Sequence, residues 1–394
     1  MKCLAILGRQ PEISLAELRA IFGKVSAHGS LAFFESNETP DINRFGGSIK
    51  FAVKLNGSPL DYFQNRKEGK ITIGVSDYST RSSGKRAALE AMKLKKILVR
   101  HGRSVRIVQN NGAALSTATS LHNGLSGAKP NKVELILIEK EWWRVVGVQD
   151  IDAYARRDQA RPARDAKVGM LPPKLAQILI NLCGPLPAGS RILDPFCGTG
   201  VVLQEALLMG YQAYGTDINE RMVSYSQKNL EWICKSENSD FRGDPEPGKA
   251  RTSAGRLWRQ AGQTRPEKTE FLICQGDATD FKWSGNIDAV AFEGFLGQPM
   301  SLPPAEIKLK AEKQTCSSII LGFLKNLAPQ IKPETPVVMA IPAWLRENGR
   351  YSRLDILDEV EKLGYNLMNR SRDGLLYFRE GQVVARDIII LRKK

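Results

Sequence analysis

The sequence predicts an α/β protein in which a doubly wound parallel sheet occupies the C-terminal half, behind a smaller α+β region. Three observations carry this. From residue 190 onward, short apolar strands alternate with helical segments of ten to fifteen residues, the pattern of a parallel sheet with crossover helices. One strand there runs straight into a glycine turn and a helix, LDPFCGTGVVLQEAL. Before residue 150 the order is different, with strands and only two substantial helices, and positive charge is concentrated there.

In chain order, residues 1 to about 55 read as strand (CLAILG), helix (ISLAELRAIFG) and strand (SLAFFES), and Ser14 with Glu17 has the spacing of a capping box. Residues 68–138 read as strand (KITIGVSDY), basic helix (GKRAALEAMKLKKILVRHG), strand (SVRIVQN), a Ser/Thr/Gly-rich loop and strand (KVELILIEK). On that helix Arg86, Lys93, Lys96 and Arg100 share a face, and Leu89, Met92 and Ile97 are expected to pack on the sheet. Residues 150–174 lack an apolar period and read as an arginine-rich linker before the helix KLAQILINLC. Then follow RILDPF (strand), VVLQEALLMG (helix), YQAYGTDI (strand), ERMVSYSQKNLEWI (helix), and the strands FLICQGDAT, IDAVAFE and VVMAIPAW. A long helix beginning EIKLKAEKQ separates the last two. The closing GLLYFRE-GQ-VVARDIIILRKK reads as an antiparallel hairpin edging the sheet. Residues 235–270 are polar and rich in Gly and Pro, and read as a surface insertion in which Trp258 could stack on a base. The expected domains are therefore 1–65, 66–150, a basic linker with leading helix at 151–185, and 186–394.

Composition narrows the classes. With 42% apolar and 25% charged residues the chain has the make-up of a soluble globular protein, and at 394 residues it needs more than one core. No stretch approaches the roughly 20 apolar residues of a membrane span. The N-terminus reads as a strand and helix, not a leader. Six cysteines without a C-x-x-C pair suggest neither zinc nor a disulfide framework, and fit a reducing cytoplasm. Net charge is +15, and Lys plus Arg outnumber Asp plus Glu by 23 to 13 over residues 1–150 against 34 to 29 over the remainder. A polyanion held mainly by the N-terminal part is expected, nucleic acid above all.

The glycine loop defines a cofactor. A strand ends at Asp194-Pro195-Phe196, and Gly198-Thr199-Gly200 turns the backbone towards a ligand before the helix presents its free amides. The next strand ends in Asp217-Ile218, where the acid can accept bonds from two ribose hydroxyls. The third ends near Asp277-Ala278, within reach of an adenine amino group. A nicotinamide dinucleotide would need G-x-G-x-x-G, but the third glycine is missing and Asp194 would repel a pyrophosphate. Carboxylates suit S-adenosylmethionine, which carries an ammonium and a sulfonium.

DPFCGTG, GTDIN and GDAT resemble the motifs of RNA methyltransferases that modify an exocyclic base nitrogen. RRDQARPARDAKVGMLPPKLAQILINL resembles the segment before the glycine loop in the THUMP-domain tRNA guanine-N2-methyltransferases, and ILGRQPEISLAEL and STATSLHNGL resemble the tRNA-binding half of that group, particularly its bacterial relatives. The resemblance covers nearly the whole chain. It implies a ferredoxin-like segment plus THUMP domain that grips tRNA, then a Rossmann-like methyltransferase domain using S-adenosylmethionine on a guanine N2. Eukaryotic relatives use a small activator subunit, for which this sequence carries no signal; it is equally silent on oligomeric state.

In that family the fourth strand ends in Asp-Pro-Pro-Tyr or Glu-Pro-Tyr, and Glu293-Gly294-Phe295 stands there in this chain. The resemblance makes Glu293 the acceptor for the target amine, Gly294 a carbonyl acceptor and Phe295 a stacking platform for a flipped base. Proline would hold this loop rigid, whereas glycine is expected to release it. Candidate RNA contacts are Lys85, Arg86, Lys93, Lys96, Arg100, His122 and Asn123, with Arg156, Arg157, Arg161 and Arg164 in the linker. Two alternatives stay open: an adenine or cytosine amine in rRNA or DNA, and a tRNA-binding protein that keeps the cofactor pocket without turnover.

Overall fold

A computed structural model describes residues 1–64, 69–165, 170–239, 270–369 and 375–394. The expected insertion around Trp258 lies outside them. The described chain forms two compact units, residues 1–152 and 153–394.

The first unit contains β1 (Lys2–Leu7), α1 (Pro11–Phe22), β2 (Val25–His28), β3 (Leu31–Glu35), β4 (Ser48–Lys54), α2 (Pro59–Gln64), β5 (Ile71–Asp77), α3 (Gly84–Arg100), β6 (Val105–Ile107), α4 (Thr117–His122), β7 (Lys132–Ile138) and β8 (Glu141–Val148). Its sheet runs β2-β3-β1-β4-β8-β7-β5-β6. Because β8 returns to pair antiparallel with β4, residues on either side of position 65 share one continuous sheet.

Two expectations fail here for physical reasons. Helix α1 starts at Pro11, with Gln10 rather than Ser14 at its N-cap, because proline suits a first helical position. Ser14 is buried one turn in, where its Oγ donates to the Gly47 carbonyl at 2.7 Å, and the Glu17 carboxylate accepts the Gly46 and Gly47 amides at 2.9 and 2.8 Å. The pair that resembles a capping box instead grips the entry to β4. On α3 the inward face is Ala87, Ala91, Leu94 and Leu98, at spacings of four, three and four. Leu89, 61% exposed, and Met92 point outward, so the small alanines rather than the larger side chains allow the helix to approach the sheet.

Helix α5 (Ile151–Gln159) begins at the end of the first unit and runs into the second, which contains α6 (Pro173–Leu182), β9 (Arg191–Asp194), α7 (Val201–Leu208), β10 (Gln212–Asp217), α8 (Glu220–Ser239), β11 (Phe271–Gln275), β12 (Ala289–Glu293), the helix Glu306–Leu327, β13 (Pro336–Leu345), β14 (Tyr351–Arg353), the helix Leu357–Lys362, β15 (Tyr365–Leu367), β16 (Leu376–Tyr377) and β17 (Val384–Lys393). Helix α5 corrects the linker reading: only Ala153 and Tyr154 are buried on it, too few to show a period in sequence. The sheet order is β11-β10-β9-β12-β13-β17-β15. Strands β11, β10, β9, β12 and β13 are parallel, and β17 is antiparallel to β13. Strand β17 lies inside the sheet rather than at its edge, because the three-residue β15 pairs on its far side. Strand order reverses between β10-β9 and β9-β12, which opens a crevice at the C-terminal ends of β9, β10 and β12.

Candidate active site

The glycine loop is tied to the end of β10 on both sides. The Cys197 amide donates to the Thr216 carbonyl at 2.9 Å, and the Gly198 amide to Asp217 Oδ2 at 2.9 Å. Gly198 and Gly200 adopt φ of 51° and 80°, a region that disfavours side chains. Gly200 is also crowded: a Cβ there would stand 2.8 Å from Ser226 Oγ and 2.9 Å from Leu230 Cδ1. The Gly198 side is open, with no atom closer than 4.0 Å to an added Cβ.

Helix α8 supplies two residues that sequence reading missed. Ser226 Oγ donates to the Gly198 carbonyl at 2.9 Å. Asn229 Nδ2 donates to the carbonyls of Thr199 and Ala163, both at 2.9 Å, and Asn229 Oδ1 accepts the Ala163 amide at 3.0 Å. Asn229 therefore stitches the upstream segment to the loop. The one sequence signal was a pair of small polar residues three apart on the helix face that turns out to be buried.

Carboxylates ring the crevice. Asp194 is buried, and its Oδ1 accepts the Phe196 amide. Desolvation raises its pKa well above the usual range, and the neighbouring Asp217 and Glu293 push it the same way. Asp217 is raised by burial against the opposing effect of the Asn219 and Gly198 amides. Each of its oxygens accepts one of those amides and keeps further acceptor capacity. Ile218 beside it is 66% exposed, an apolar surface at the rim. Asp277 Oδ1 is taken by the amide and hydroxyl of Thr279, both at 2.8 Å, while Ala278 is buried with its carbonyl held by Asn326. Pro195 is buried and its carbonyl accepts Thr216 Oγ1; the Phe196 ring packs 5.4 Å from Phe292 and 5.5 Å from Phe323, supporting the loop from below.

Glu293 ends β12, in register with Ala340 of β13. Its Oε1 accepts Arg386 Nε at 2.6 Å, a partner that sequence reading did not find because Arg386 lies 93 residues away. Burial raises the Glu293 pKa, and Arg386 opposes that rise. Gly294 is not released as expected: its amide donates to the Ala340 carbonyl at 2.9 Å, extending strand pairing past the acid. A proline there would lack that donor. An added Cβ would meet Ile320 Cδ1 at 2.8 Å, so glycine also fits the packing. Phe295 follows, 38% exposed.

The basic candidates divide. Lys85, Lys93, Lys96 and Arg100 are exposed on α3, although Lys93 also pairs with Glu90 and Arg86 is drawn to the Glu139 carbonyl. His122 and Asn123 close α4; His122 lies 3.3 Å from Asp152, and Asn123 Oδ1 accepts Arg106 Nη2. Arg156 and Arg164 are exposed. Arg157 and Arg161 turn inward, which removes the surface position expected of phosphate contacts. Arg157 pairs with buried Glu205 at 2.7 Å, and Arg161 is buried against Met170 and Asp158.

A largely parallel sheet with a glycine loop at its switch point and acids on successive strand ends has the fold of a Rossmann-like methyltransferase domain. The UPF0020 family model (RMKL-like, methyltransferase domain) matches residues 161–244. The chain is 43% identical over 221 residues to a tRNA (guanine(10)-N2)-dimethyltransferase of Methanothermobacter thermautotrophicus, covering 53% of each protein. It is 31% identical over 245 residues to the protein of that name from Methanocaldococcus jannaschii, covering 57% of this chain and 69% of the relative. Among solved structures, TrmN from Thermus thermophilus aligns over 100% of both chains at 16% identity with a TM-score of 0.43. The chain belongs to the tRNA (guanine(10)-N2)-dimethyltransferase family. It matches about half the length of the first of these relatives.

Proposed function

We propose that this protein transfers a methyl group from S-adenosylmethionine to the exocyclic N2 of a guanine in tRNA. The observation that carries the reading is the row of carboxylates, Asp277, Asp217, Asp194 and Glu293, at the C-terminal ends of four adjacent strands around a glycine loop. Such a row suits a cationic cofactor, and the open space beside Gly198 leaves room for one to approach the backbone. Asp217 would hold the ribose hydroxyls, Ile218 would lie along the adenine, and Asp277 would take the adenine amine through its second oxygen. The cofactor supplies an electrophilic methyl group on a sulfonium.

Glu293 Oε2 and the Gly294 carbonyl would accept the two N–H hydrogens of the target amine. That draws the nitrogen lone pair out of conjugation and fixes its direction, which is most of what an in-line displacement needs. Phe295 would stack on the flipped base. Arg386 favours the carboxylate form of Glu293 against the larger effect of burial, which raises its pKa. The exposed cations of α3 are the expected tRNA backbone contacts, together with Arg156 and Arg164. No helix among the described residues is long and apolar enough to cross a bilayer.

The test is methyl transfer from labelled cofactor to unmodified tRNA, with the digested nucleosides identified by mass. N2-methylguanosine or its dimethyl form is expected. Label on adenosine or cytidine would redirect the substrate reading, and cofactor binding with no transfer to any RNA would make this a binding protein. Gly200→Ala should weaken cofactor binding at least tenfold and cost about 1–3 kcal/mol of stability, since it forces a side chain into a left-handed, filled position. Calorimetric titration and thermal melting read both, and an unchanged affinity would remove the loop from the cofactor site.

A further inference from the structure

The Glu293–Arg386 pair has a chemistry of its own. Arg386 reaches the acid from β17, two strands away in the sheet, and the two side chains are only 6% and 14% exposed. The bond from Nε is the side-chain hydrogen bond that Arg386 makes among the described residues. Its Nη1 and Nη2 groups, with four N–H donors, have no acceptor there. A guanidinium nine-tenths buried beside the proposed target position, with one edge engaged and the other free, is a site for an acceptor.

The Nε–Oε1 bond brings the guanidinium, with its Nη donors, against the carboxylate, with its second oxygen Oε2, so a donor group stands next to an acceptor group. In guanine the N2 amine donates, and its two ring neighbours differ: N3 accepts, whereas N1 carries a hydrogen and donates. The pair matches the N2–N3 edge and opposes the N2–N1 edge. We propose that Glu293 and Arg386 read the target base at two points, the amine on Glu293 Oε2 and the adjacent ring nitrogen N3 on Arg386 Nη. Arg386 is then a substrate-contacting residue that selects which edge of the base enters the site. The inference rests on the methyl-transfer reading above. Discrimination between edges follows from leaving a buried guanidinium edge unpaired when the ring nitrogen is absent.

The experiment compares tRNA carrying guanosine with tRNA carrying 3-deazaguanosine, in which a C–H replaces N3, at the methylated position. Wild type, Arg386→Lys and Arg386→Gln are each assayed for kcat/KM on both. Wild type should lose about 10- to 100-fold on the deaza substrate. Both variants should be slower on guanosine and treat the two substrates nearly alike, because neither keeps the fork that meets N3. Equal wild-type rates on the two substrates overturn the proposal. So does a variant that is slower on both but keeps the wild-type preference, since Arg386 would then only buttress Glu293. Should Arg386→Gln fail to fold, the wild-type comparison and Arg386→Lys still decide. Absence of N2-methylguanosine from wild type on ordinary tRNA overturns the underlying reading and this inference with it, whereas methylation without preference overturns the inference alone.

Discussion

Replacing Glu293 with glutamine is expected to slow methyl transfer by about 10²- to 10⁴-fold while changing cofactor affinity little. The substitution keeps the shape and one acceptor oxygen, but it removes the negative charge that draws the amine hydrogens and can take up the displaced proton. The pH dependence follows from the same group. Burial holds its pKa above the ordinary glutamate range, and Arg386 limits that rise. Only the carboxylate form accepts both ways at Oε2, so wild-type turnover should fall as pH drops through this raised pKa and be full above it. Arg386→Gln removes the opposing charge and should move the midpoint to higher pH. Glu293→Gln should show no such limb. Single-turnover rates across pH, with cofactor affinity measured in parallel, check this. A glutamine variant as fast as wild type would strip Glu293 of its role.

The second large effect lies in the first unit. Lys50 on β4 and Glu134 on β7 form a fully buried ion pair at 2.6 Å. Glu134 also accepts Ser76 Oγ and Ser120 Oγ, each at 2.6 Å, and Lys50 Nζ donates to the Leu115 carbonyl at 2.8 Å. Ser76 Oγ in turn accepts the Leu115 amide. The network ties Leu115 and α4 down onto the sheet, and with them His122 and Asn123. Lys50→Met leaves a carboxylate buried with hydroxyl donors only, and should cost about 3–5 kcal/mol. The double variant Lys50→Met with Glu134→Leu should recover most of that loss, because no charge is then stranded. Urea unfolding reads the stability, and amide exchange over residues 108–125 reads the local consequence. A single variant as stable as the double would show that water reaches the site and that the pair is not sealed.

Part of this architecture is legible in the sequence. The α/β class, the glycine loop from Asp194 to Gly200 and the strand-ending acids Asp217, Asp277 and Glu293 are all written in contiguous residues. A motif made by consecutive residues, with geometry set by glycine torsions and strand ends, survives reading in one dimension. Helix α3 was legible as a helix but its inner face was not: charge marked the outside correctly, while Ala87 and Ala91 gave no hydrophobic signal strong enough to mark the inside. Ser14 and Glu17 were legible as a pair but not as a pair aimed at Gly46 and Gly47, since nothing local says which backbone they meet.

Sequence alone determined the fold class and the glycine loop with the acids around it, because these are local features of consecutive residues and strand ends. Tertiary structure alone decided the surroundings of those residues. It brought Arg386 to Glu293 across the intervening strand β13, Asn229 to the glycine loop, and Lys50 to Glu134 across β8. It also turned Arg157 and Arg161 inward, where the linker reading had them facing phosphates. Arg161 meets Asp158 and Met170 close by in the chain, but in the other cases the partner is far along it. The contact exists because strand order places the two residues together and because a buried charge or amide must find a partner.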